Sequence, residues 1–183
     1  MNIQKEKGVN YMDICLVYYE SYNGTVTAED HYIPWAISLL EEGCMSPALN
    51  MLAGLQKPYN IFEVEEYVQR TIRDLTLFVP TYEQCIAYKT YHHLVNVTYK
   101  PSQSIKEAKI LIDMAFKHDD TDYLQEWTAI SQLIDEFEYD NKHFQHTEEK
   151  IQKEITSIAR QELDKVLEKS SQLSSHLTSY KRY

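Results

Sequence analysis

Apolar residues recur at steps of three and four along most of the chain, and no alternating strand pattern survives a tally of it. The clearest start and stop signals lie between Trp35 and Leu75. Trp35, Leu39 and Leu40 belong to a helix that stops at Gly43. Ser46 followed by Pro47 reads as an N-cap with proline at the first helical position, where its missing N–H costs nothing. Leu49, Leu52 and Ala53 then share one face, Gly54 is the expected C-cap, and Pro58 bars continuation. Asn60 with Glu63 is the Asn form of a capping box, and Ile61-Phe62 opens the next apolar face. Val64, Val68, Ile72 and Leu75 point inward, with Glu65, Glu66, Gln69, Arg70 and Arg73 mostly outside. None of these short helices can bury a face alone, so they must fold on one another.

The same reading extends along the chain. Tyr11 to Tyr22 has the β-branched and aromatic content of a strand, but Ile14, Tyr18 and Tyr22 keep helical spacing, which predicts a helix. Thr27 with Asp30 opens the next helix, and Pro34 either kinks it or marks a fresh start. After the break at Val79-Pro80, Thr81 caps a helix through Cys85, Tyr88, Tyr91, His92 and Val95, whose tail V-N-V-T-Y is expected to turn extended before Pro101. Ser104 with Glu107 is a second capping box, starting a helix that bears Ile105, Ala108, Leu111, Ile112 and Ala115 and ends near Lys117-His118. An acidic turn follows at Asp119 to Asp122. From Tyr123, a helix with Leu124, Trp127, Ile130, Ile134 and Phe137 inward is expected, then a short link over Asn141 to Thr147. Thr147 precedes a long helix marked by Ile151, Ile155, Ile158, Ala159, Leu163, Val166 and Leu167. The expectation is one all-α domain of about seven or eight helices over residues 11–173, packed orthogonally or in a solenoid-like way. Residues 1–10 are read as a flexible N-terminus and 174–183 as a frayed tail.

Composition narrows this picture. A chain of 183 residues with 43% apolar content can build a proper core. Only 4 Gly and 5 Pro are few turn residues for a strand-rich fold, which again favours helices. Net charge is -10, and residues 11–146 hold 21 Asp or Glu against 9 Lys or Arg. Nucleic acid is disfavoured as a ligand, because phosphate binding needs a basic patch. The charge suits either solubility or steering toward a cationic protein. Three scattered cysteines, Cys15, Cys44 and Cys85, form no zinc spacing and read as buried free thiols of a cytoplasmic protein. No secretory signal is read at the N-terminus, and no stretch approaches the ~20 apolar residues of a membrane span.

The motif W-A-I-S-L-L-E-E-G…S-P-A-L-N-M-L-A-G-L…N-I-F-E-V-E-E-Y resembles one found in small, uncharacterised bacterial helical proteins. S-I-K-E-A-K-I-L-I at 104–112, W-T-A-I-S-Q-L-I-D-E-F from Trp127, and I-x-x-E-I-x-x-x-A-R over Ile151 to Arg160 extend the resemblance across most of residues 33–163. It implies an all-helical fold and no cofactor or catalytic residue. Acidic proteins of this size include immunity proteins and inhibitors, an analogy of size and charge.

Candidate chemistry is sparse. His143 and His146, three apart with Glu148 and Glu149 nearby, could share a metal ion, but they lie in a polar link with no third ligand at a diagnostic spacing. His92 and His93 point about 100° apart on a helix, poorly placed to converge on one ion, with one expected near the core and the other outside, and Cys85 lies too far back for proton transfer. Glu63, Glu65 and Glu66 read as a cap and as carboxylates favouring the helix dipole. The acidic set Asp119, Asp120, Asp122, Glu126, Asp135, Glu136, Glu138 and Asp140 offers faces that could meet an Arg/Lys-rich partner or simply be solvated. Fifteen tyrosines, clustered at Tyr18, Tyr19, Tyr22 and at Tyr82, Tyr88, Tyr91, suit recognition or a core edge. The expectation is a non-enzymatic protein that docks an acidic surface on a basic protein partner and blocks it, without cofactor, metal, nucleic acid or membrane. The alternatives are a homo-oligomerising module pairing through Ile151, Ile155, Ile158 and Val166, or a His/carboxylate metalloprotein.

Overall fold

A computed structural model describes the backbone of residues 11–118, 127–139 and 147–177, and side chains within 14–118, 127–139 and 147–166. Among the described residues there are eight α-helices and no strand. The chain falls into two compact units, Met1–Lys89 and Thr90–Tyr183. The hydrophobic pattern carries no mark of this division.

The first unit holds α1 (Tyr11–Tyr22), a π-helical turn (Ala28–Tyr32), α2 (Ile33–Glu41), α3 (Pro47–Gly54), α4 (Ile61–Asp74) and the start of α5 (Tyr82–Tyr99). α2 packs on α3, α3 on α4, and α1 on α2. Trp35, Leu39, Leu49, Leu52, Val64, Val68 and Ile72 meet in one buried cluster, which Ile14 and Val17 of α1 join. Pro34 falls in the first turn of α2, which follows the π-helical turn without a break, Tyr32 and Ile33 both being right-handed helical.

Local bonds define the ends. Thr27 Oγ1 accepts the Asp30 N–H at 3.1 Å, and Ser46 Oγ accepts the Leu49 N–H at 3.0 Å. Thr81 Oγ1 accepts the Gln84 N–H at 3.4 Å while Gln84 Oε1 accepts the Thr81 N–H at 2.8 Å, a reciprocal capping box at the head of α5. α2 ends in a Schellman motif: Gly43 has φ 86°, its N–H reaches Leu40 O, and the Cys44 N–H reaches Leu39 O.

Several expectations are corrected. Gly54 is the last residue of α3 and not its cap; the cap is Leu55, in extended backbone, because its side chain is drawn onto the core. Asn60 caps α4 through the Phe62 N–H at 3.1 Å. Phe62 itself is 79% exposed, since the helix turns it about 200° away from Val64 and so off the buried face. The V-N-V-T-Y tail stays helical to Tyr99. Burial of Leu94, Val97 and Thr98 at helical spacing outweighs the strand preference of the β-branched residues. The capping box at Ser104 does not form. A 3-10 turn over Pro101–Gln103 starts the turn earlier, Gln103 takes the cap position, and Ser104 is buried within the first helical turn.

The second unit contains the remainder of α5 with α6 (Ser104–Lys117), α7 (Trp127–Tyr139) and α8 (Glu148–Leu177). α6 packs on both α7 and α8, and α7 on α8. The buried residues of the three helices include Leu111, Ile112, Met114, Trp127, Ile130, Ile134, Ile151, Ile155 and Ala159. The expected start of the α7 helix at Tyr123 lies outside the described residues. Among the described residues, no helix is long and apolar enough to cross a membrane.

α4 also closes in a Schellman motif, with the Leu77 N–H on Ile72 O and the Thr76 N–H on Arg73 O. Its left-handed position is Thr76, at φ 52°, a conformation that crowds a β-branched side chain. Thr76→Gly should therefore stabilise the chain by about 1 kcal/mol, read as a higher urea midpoint at unchanged slope.

Candidate functional site

Among the described residues, no group of three or more His, Cys, Asp or Glu side chains could hold a metal ion. His143 and His146 lie outside the described residues. So do Asp119, Asp120, Asp122, Glu126 and Asp140 of the acidic set.

Two tyrosines of the first unit are used internally, where α1 meets the start of α5. The Tyr22 hydroxyl donates to Pro80 O at 3.0 Å, and the Tyr82 hydroxyl to Asn23 Oδ1 at 3.1 Å. The Tyr22 and Tyr82 rings lie 5.4 Å apart, and Tyr19 stacks on Tyr82 at 6.3 Å. Lys89 sits 4.0 Å over the Tyr19 ring and pairs with Glu20. Burial, with Tyr82 and Glu20 close by, pushes the Tyr19 phenol up to about 12. Cys15 and Cys85 are buried at the same seam, and the hydrogen bond to Cys15 together with burial keeps the Cys85 thiol protonated. They are structural thiols, whereas Cys44 is only half-buried.

The first unit also has a groove of about 570 Å³ between α1, the π-helical turn and α4. Phe62, Glu65, Gln69 and Arg73 line the α4 side, with Tyr32 and Ser21 opposite. Glu66 is already held by Arg70 one turn on. Glu65 and Arg73 have no ion-pair partner among the described residues.

In the second unit, Asp135, Glu136 and Glu138 lie on the exposed side of α7. Both Glu138 carboxylate oxygens accept from Lys109 Nζ, at 2.7 and 2.8 Å, which holds the Lys109 ammonium above the usual lysine range. Glu138 is thus partly neutralised, and Glu136 has no cationic partner among the described residues. Tyr139 beside them is 85% exposed. The stripe expected to pair with a second copy is closed by the chain itself. Ile151 and Ile155 are 1% and 0% exposed and Val166 is buried, with Ile158 half-buried, because α8 presents that face to α6 and α7.

Sequence reasoning missed the polar interior of this unit. His93 Nδ1 and Glu107 Oε2 are 2.7 Å apart and buried, with Asn96 Nδ2 3.4 Å from the same oxygen. Glu162 is 1% exposed, with one oxygen on Lys165 at 2.5 Å and the other without a hydrogen-bond partner among the described residues. The signal was available: Glu107 stands beside Ala108 on the stripe leading to Leu111, and Glu162 on the stripe of Ile155 and Ala159. As expected for adjacent histidines, His93 is buried and His92 only partly so.

No family model, curated protein or solved structure matches this chain.

Two measurements follow from these pairs. Burial raises the Glu20 carboxyl, but hydrogen bonds from Lys89 and Thr25 and the Lys89 charge outweigh it and bring it below the usual range. Its stabilisation is present above the usual carboxylate range and is lost as pH falls through the depressed value. Glu20→Gln should thus weaken the chain at neutral pH and converge with the parent in acid, compared by urea midpoints. Removing one partner of a buried hydrogen-bonded pair leaves the other unsatisfied, so Glu107→Ala should cost about 1–3 kcal/mol. Adding His93→Ala should then cost less than its effect alone, measured as a double-mutant cycle.

Proposed function

We propose that this chain is a non-enzymatic interaction protein whose acidic exterior docks on a basic protein partner and covers that partner's working surface. The observation that carries the reading is the outer side of α7. Exposed Asp135 and Glu136 stand beside the 85% exposed ring of Tyr139. The helix is held from behind by Trp127, Ile130 and Ile134. A tyrosine supplies contact area at low entropic cost, and flanking carboxylates select cationic side chains. The net charge of -10 speeds encounter with a basic surface and repels acidic competitors. Rigid mounting means that little order has to be gained on docking. Inhibition would be by occlusion, in the manner of bacterial toxin immunity or phage anti-defence inhibition, and the family resemblance over residues 33–163 belongs to the same proposal.

Immobilised chain should capture a basic protein from its source lysate at low salt and release it as ionic strength rises. Asp135→Lys with Glu136→Lys should abolish capture and leave the melting temperature unchanged, because both positions are exposed. Retained capture by the doubly reversed chain would remove this face from consideration.

A further inference from the structure

Along α4, Phe62, Glu65, Gln69 and Arg73 follow one another at steps of three and four, so they form one ridge of the helix. That ridge is a wall of the 570 Å³ groove of the first unit, a size within the ~300–1,000 Å³ of ligand-holding clefts. Its two ends differ chemically. At one end the exposed Phe62 ring lies a helical turn from Glu65, an arrangement that suits a guanidinium or ammonium group by ring face and carboxylate together. At the other end is Arg73. Glu65 and Arg73 are too far apart to neutralise each other, whereas Glu66 and Arg70, four apart, do so. The groove therefore presents a negative and a positive end, separated by eight residues of helix, or about 12 Å. An extended chain covers that distance in three or four residues. Between the ends, the exposed Gln69 amide offers donor and acceptor capacity to a passing backbone. The far wall is formed by Tyr32 and Ser21.

We propose that this groove takes an extended segment of a protein partner bearing a Lys or Arg at the Phe62–Glu65 end and a carboxylate three or four residues away at Arg73. This rests on the reading of the chain as a protein-docking module, and it names the chemistry of one contact. It is independent of α7.

The test is an NMR titration of the isotope-labelled full chain with blocked peptides in which Lys and Glu are separated by two or three alanines. Backbone amides of α4 and of Tyr32 should shift, and a peptide with Gln at both charged positions should bind about threefold or more weakly, the scale of exposed ion pairs. Glu65→Lys should reverse the preference, favouring a peptide with Glu at both positions. Phe62→Ala should weaken the Lys/Glu peptide while leaving the melting temperature unchanged, since the ring is exposed. Absence of α4 shifts at millimolar peptide, equal response to the neutral peptide, or an unchanged preference in Glu65→Lys would each overturn the proposal. If peptides fail here while reversal of Asp135 and Glu136 still abolishes capture, only the groove assignment falls. Peptide binding with capture unaffected by that reversal removes the α7 face alone.

Discussion

Helices of nine, eight and fourteen residues are at or below the length at which a helix is stable in water, since isolated helices shorter than about 12–15 residues are marginal. α2, α3 and α4 persist because each contributes to one shared interior. Trp35 and Leu39 come from α2, Leu49 and Leu52 from α3, and Val64, Val68 and Ile72 from α4. The tight connections follow from this mutual need. The Schellman turn at Gly43 and the Ser46 cap bring α2 and α3 together within a few residues, and the cap at Asn60 starts α4 soon after. The ridge of α4 that carries Phe62, Glu65 and Arg73 is thereby held as firmly as the core behind it.

The second unit solves a different problem, because its interior admits polar and ionisable side chains. Glu107 lies beside Ala108 and is matched by His93 and Asn96, while Glu162 is reached by Lys165 from the rim. Such pairs compensate desolvation only when geometry is good. The bonds of His93 and Asn96 to Glu107 tie particular residues of α5 to a particular residue of α6, whereas aliphatic contacts would tolerate sliding. The α7 face differs in kind. Asp135 and Glu136 stay exposed there, so they cost little to the fold.

Much of the helical layout was legible in the chain. The caps at Thr27, Ser46, Asn60 and Thr81 use side-chain oxygens whose function is local, and a reading of neighbours finds them. The inward stripes of α4, α6 and α7 follow from period alone. The misses share one cause. Leu55 rather than Gly54 caps α3 because the distant core attracts its side chain. The tail of α5 stays helical because Leu94 and Val97 find burial. Glu107 looked like half of a capping box and serves instead as the partner of a histidine fourteen residues away.

The sequence by itself determined the class of fold, the number of helices and most of their ends, because hydrophobic period and capping act within a few residues. Only the tertiary structure decided which charges are interior, which tyrosines join α1 to α5, and which face of α8 is closed. It alone placed Phe62, Glu65 and Arg73 along a groove. Each of these depends on groups brought together from distant parts of a unit, and a reading of local spacing has no access to that proximity.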